Sequence, residues 1–115
     1  MSTVVSLQQA YESLRQRRFE DAEALCRQVL TSEPRNAHAV HLLGLVVKDR
    51  GDAPGGERLI RQSIELEPKR AEYHANLGNL LRREGRMPEA EQSYREALAL
   101  EPTHKPAGLR VGRTL

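Results

Sequence analysis

Few side chains in this sequence could do chemistry. Cys26 is the single thiol, and a nucleophilic cysteine needs a neighbour that lowers its pKa. The surrounding stretch, FEDAEALCRQVL, puts Cys26 on one apolar stripe with Phe19, Ala22, Leu25, Val29 and Leu30 and supplies no paired base. His38 and His41 stand i, i+3 and would share a helix face, a spacing that suits a shared metal. A third ligand is missing nearby, because His74 falls at a packing position and Cys26 on another helix. There is no Gly-rich phosphate loop, no Ser/His/Asp arrangement and no carboxylate pair in a pocket. Neither a catalytic residue nor a metal or other cofactor is therefore expected.

The elements that would position these residues are short helices. In AEYHANLGNLLRREGRMPEAEQSYREALALEP, the residues Tyr73, Leu77, Leu80 and Leu81 recur with helical spacing, and Ala90, Tyr94, Ala97 and Leu98 do so again. Gly85 separates the two runs, as expected for a left-handed residue just past a helix end. Pro88 suits the first turn of the second helix, and Pro102 stops it. Helices of about 14 residues are marginal alone in water, so packing must hold them.

The same design recurs every 34 residues. Glu33–Pro34, Glu67–Pro68 and Glu101–Pro102 keep this spacing, as do Gly44 with Gly78 and Gly51 with Gly85. Ala22, Gly56 and Ala90 share one register; Leu30, Ile64 and Leu98 share another. Gly44 and Gly78 fall mid-helix, where glycine costs roughly 1 kcal/mol against alanine. Close approach of the paired helix at Ala22, Gly56 or Ala90 would offset that cost. The first helix is expected over 3–16 with Leu7, Ala10, Tyr11 and Leu14 inward. Arg17 takes the place of the later turn glycines, and Asn36 should cap the third helix. The fourth, with Gly55 and Gly56 in its first turns, is the least helix-favouring.

A 34-residue helix–turn–helix period resembles the tetratricopeptide repeat (TPR). The motif positions fall on His74, Leu77, Gly78, Leu81, Ala90, Tyr94 and Pro102 in one unit, and on Val40, Leu43, Gly44, Val47, Gly56, Ile60 and Pro68 in another. The first unit matches only at Ala22, Cys26 and Pro34. The resemblance implies an all-α, right-handed α-solenoid in one domain, with repeats over 3–36, 37–70 and 71–104. Over 105–115, Val111, Gly112 and Leu115 continue the register, either as a capping helix or as the start of a fourth repeat cut short. A short seventh segment is expected near 104–113.

The family lines a concave groove with the first helix of each repeat. The resemblance thus implies a peptide-binding groove that includes Tyr11, Arg15, His38, His41, Leu45, Lys48, Asn76, Asn79, Arg82 and Arg83. The clamp that chaperone-binding members close on a peptide's C-terminal carboxylates would fall on Leu7, Tyr11, Leu42, Glu72 and Asn76. None of these is basic, so that ligand is not expected.

Composition narrows the partners further. The net charge of +2 is mild, acids and bases are interspersed, and the aromatics are three tyrosines and one phenylalanine. A nucleic-acid binder would need a basic face and stacking rings. No run approaches the roughly 18 apolar residues of a membrane span, and the start lacks a secretory pattern. Neither nucleic acid nor membrane is expected as a partner, and a cytoplasmic setting is. The expected function is a non-enzymatic protein–protein interaction scaffold that binds a peptide or partner domain. The alternative is the N-terminal repeat region of a larger bacterial enzyme, a transferase or hydroxylase, with its catalytic domain beyond Leu115. Leu109, Val111 and Leu115 on a glycine-bearing segment also suggest an association site, for weak self-association or for a continuation of the chain.

Overall fold

The computed structural model describes residues 2–101. The expected segment near 104–113 and the expected association residues Leu109, Val111 and Leu115 lie outside the described residues. The described residues form six α-helices and no strand: α1 Thr3–Arg15, α2 Phe19–Ser32, α3 Ala37–Asp49, α4 Ala53–Leu66, α5 Ala71–Arg83 and α6 Met87–Leu100. Every boundary recurs at a spacing of 34, so the sequence period is the structural period. None of these helices is long and apolar enough to cross a membrane. They group into two compact units, α1–α4 and α5–α6.

The turn inside each helix pair closes in one way. The N–H groups of Arg18, Asp52 and Arg86 donate to the carbonyls of Ser13, Val47 and Leu81 at 2.8, 3.1 and 2.9 Å. The preceding residues, Arg17, Gly51 and Gly85, are left-handed, with φ of 61°, 106° and 79°. This is the Schellman closure of a helix end. Arg17 adopts it despite its Cβ, a conformation that costs roughly 1–2 kcal/mol outside glycine. Its guanidinium lies 5.0 Å from the Phe19 ring, which returns part of that cost.

Helix starts vary more. Asn36 Oδ1 accepts from Ala39 N at 2.9 Å, and Asp52 Oδ1 accepts from Gly55 N at 2.9 Å. Where the register puts Arg18 and Arg86 in place of Asp52, each arginine instead holds an acid of the first turn, Asp21 and Glu89. Those acids sit favourably at the positive end of the helix dipole.

In the first unit, Leu7 and Ala10 of α1, Cys26 and Val29 of α2, and Leu42 and Leu43 of α3 share one core. Helix α4 is fully formed in spite of its glycines; Ile60 and Ser63 are buried, and Ser63 Oγ donates to the Ile60 carbonyl at 2.6 Å. The glycines allow a close crossing. A Cβ on Gly56 would stand 2.7 Å from Lys48 Cβ and 2.8 Å from the Gly44 carbonyl oxygen. In the second unit the expected approach of Ala90 to Gly78 is not the closest one. A Cβ on Gly78 would meet the Tyr94 ring at 2.6 Å, while Ala90 is fully buried nearby in sequence on α6.

Tyr11 departs from the expected inward position: it is 49% exposed. Leu7, Ala10 and Leu14 already fill the buried stripe of α1, and residue 11 lies on the edge of that stripe.

Candidate functional site

On α1, Val4, Gln8, Tyr11 and Arg15 are all exposed and follow one another at i, i+4, i+7 and i+11. They form one stripe along the helix. Val4 is 64% exposed and Tyr11 49%, although the same helix buries Leu7 and Leu14. Arg15 reaches Glu12 at 3.6 Å, with both side chains well exposed. Such a pair is worth little and leaves the cation available to a partner.

Helix α3 packs against α1 through the shared core. It is buried around most of its circumference: Ala37, Ala39 to Gly44 and Val46 are all inside. This corrects the expectation for His41, which is fully buried and presents nothing to a partner at the surface. Its ring stacks on that of His38 at 6.1 Å between centroids and 25° between planes. His38, Leu45 and Lys48 are half-buried. Lys48 Nζ lies 3.2 Å from the neighbouring Asp49 carboxylate. Among the described residues no group of three or more His, Cys, Asp or Glu side chains converges to hold a metal ion.

In the second unit, α5 carries Asn76 and Asn79, both half-buried, and ends in Arg82 and Arg83, both exposed. Asn79 is tied down: its Oδ1 accepts from Tyr94 Oη at 2.7 Å. The same tyrosine fills the space over Gly78, so one ring both closes the helix pair and orients an amide. That link was not legible in the sequence, where Tyr94 reads only as a core aromatic.

Cys26 is buried, and loss of hydration pushes its thiol up to about 12, with the nearby Arg27 opposing. A thiol held neutral in this way is a packing residue rather than a nucleophile. A depression of about 500 Å³ in the first unit is lined by α1, α2 and the turn between them, including Gln9, Glu12, Gln16, Asp21 and Leu25.

The family pattern described as Tetratricopeptide repeat matches residues 71–104, and a second pattern of the same description matches residues 7–53. The chain belongs to the tetratricopeptide repeat family. Solved structures agree on the TPR fold. A mutant O-GlcNAc transferase from Thermobaculum terrenum is 34% identical with a TM-score of 0.82, over 89% of this chain and 20% of that one. MamA from Desulfovibrio magneticus RS-1 is 21% identical with a TM-score of 0.76, over 90% of this chain and 58% of that one. The second TPR of Spaghetti (RPAP3), bound to an HSP90 peptide, is 17% identical with a TM-score of 0.75, over 86% and 92%. The chain thus spans a fifth of the transferase and less than two thirds of MamA. No curated protein matches the sequence. The fold class is an all-α solenoid of helix–turn–helix repeats, and a TPR array of this kind is a protein-interaction scaffold.

Proposed function

We propose that this TPR array binds a peptide or partner domain, without chemistry, through the exposed sides of the first helices of its repeats. The observation that carries the proposal is the α1 stripe, where Val4 and Tyr11 stay in solvent beside Arg15. A large apolar pair held out of the core one heptad apart favours an apolar contact with something else. On α5, the Asn76 and Asn79 amides suit a peptide main chain, and Arg82 and Arg83 suit carboxylates. A segment bound by the first unit is thus apolar in part, and one bound by the second is acidic in part. The peptide-bound RPAP3 domain supports the reading by analogy of fold. A cytoplasmic setting belongs to the same proposal.

The alternative, repeats joined to a transferase or hydroxylase domain, draws on likeness to a fifth of one transferase. No described residue argues for it.

A random peptide library displayed on phage and selected on the full chain tests the proposal. Selected peptides should carry apolar residues, acidic residues or both. Val4→Ser with Tyr11→Ser should weaken them about tenfold, roughly 1.4 kcal/mol, and Arg82→Glu with Arg83→Glu should weaken the acidic ones. Changes at the exposed Gln28 and Gln92 should do nothing. Peptides that respond to Gln28 and Gln92 but not to the α1 and α5 changes would overturn it.

A further inference from the structure

The α1–α2 turn departs from the period at three positions. Where the later turns have Gly51 and Gly85 it has Arg17, where they have Ala53 and Met87 it has Phe19, and where they have Pro54 and Pro88 it has Glu20. Arg17 is left-handed and is the only residue other than glycine so placed among the described residues. Glycine suits that conformation better, and the two later turns use it. A charged side chain kept where the backbone disfavours it, on an exposed turn, points to a use outside the fold.

The turn holds Arg17 ready. Its N–H donates to the Leu14 carbonyl at 2.9 Å, which fixes the backbone. Its guanidinium rests over the half-buried Phe19 ring, so the face of the group is occupied and its edge, with the N–H donors, stays open. Arg17, Arg18, Phe19, Glu20, Asp21 and Arg50 line a depression of about 400 Å³. Two of its three arginines are committed: Arg18 holds Asp21 at 2.7 Å and Arg50 holds Glu23 at 2.8 Å. Among the described residues no carboxylate pairs with Arg17.

We propose that this depression is a second contact surface, which takes a carboxylate side chain of an acidic peptide segment from a partner protein onto the edge of Arg17. A guanidinium edge meets a carboxylate with two parallel hydrogen bonds. Stacking on Phe19 fixes the fork beforehand, so little side-chain freedom is lost on binding. One uncommitted cation, with Glu20 on the same rim, matches a single negative charge better than the near-double charge of a phosphoryl group. None of the six lining residues belongs to the α1 stripe or to α5. The surface therefore stands or falls apart from the first-helix contacts proposed above.

The test adds hexaglutamate, blocked at both ends, to the full chain at low salt and follows the Arg17 Nε–H and Phe19 amide signals by NMR. Hexaglutamate should move both signals to saturation, and uncharged hexaglutamine should move neither. Arg35 and Arg58, exposed in the same unit, should respond less than Arg17. Read at the Phe19 amide, Arg17→Gly should weaken binding about fivefold and Glu20→Gln should tighten it about twofold. Arg17→Gly should at the same time raise the thermal midpoint, which separates lost binding from lost structure. Unchanged affinity in Arg17→Gly would overturn the proposal, as would equal shifts at Arg17, Arg35 and Arg58. Inorganic phosphate that displaces hexaglutamate from Arg17 at equal concentration would overturn the choice of a carboxylate.

Discussion

Where α3 crosses α4, glycine approaches glycine; where α5 crosses α6, glycine accepts a tyrosine ring. The three repeats put Ala10, Gly44 and Gly78 at one register position, Ala22, Gly56 and Ala90 at a second, and Cys26, Ile60 and Tyr94 at a third. As the third residue grows from cysteine to tyrosine, the first shrinks from alanine to glycine. Packed interiors tolerate exchanges that conserve volume far better than those that add it. The period therefore fixes the backbone and leaves each crossing to reach its own balance of sizes. The turns show a milder contrast: two use glycine and one uses arginine in the same left-handed conformation.

Importing the third crossing into the first gives the largest expected effect. Cys26→Tyr should destabilise by about 3 kcal/mol through overpacking against Ala10 and its neighbours. Adding Ala10→Gly should return at least a third of that loss in urea midpoints, in spite of the helix cost of glycine. If the second change only adds its own penalty, the size rule does not govern the first crossing.

Ala90→Leu comes next, at about 2 kcal/mol, because Ala90 is fully buried on the crossing face of α6. Glu91→Leu, one residue along and exposed, should stay within about 0.5 kcal/mol. Equal midpoint shifts would break the assignment of α6's inner face.

The turns are a finer comparison. Arg17→Gly should stabilise by about 0.5 kcal/mol, the relief of left-handed strain less the lost contact with Phe19. Gly85→Arg, with no such ring in its register, where Met87 replaces Phe19, should destabilise by about 1 kcal/mol. Thermal midpoints of the two variants should move in opposite directions.

The smallest effect concerns the connectors. Hydrogen bonds from Thr3 and then Asn36 hold the Glu33 carboxyl below the usual glutamate range. Its contribution is present above the ordinary carboxylate pKa and is lost as pH falls through the lowered one. Thr3→Val should move the Glu33 titration, followed by NMR, back upward with a barely measurable change in stability, since the group is exposed.

Much of this was legible in the sequence. Spacing alone placed the helices, Gly85 and Gly51 in their turns, Asn36 at its cap, and Cys26 inside. These depend on local backbone chemistry and on a stripe that repeats every turn. What escaped depends on side-chain size across a crossing. Register pairs Gly78 with Ala90, one turn from the tyrosine that fills the space, because it says which helix faces which but not how far a ring extends. His41 and Tyr11 failed for a related reason. A position on the edge of a stripe is inside or outside according to how much of its helix the neighbours cover, and α3 is covered far more than α1.

The burial of Cys26 has a use in kinetics. It is the only thiol in the chain and lies in the core shared by α1, α2 and α3, within the first unit. A thiol reagent that reacts only when that core opens turns Cys26 into a clock for the first unit alone. Its labelling rate, set beside amide exchange in α5 and α6, would show whether a binding event on one unit slows the breathing of the other.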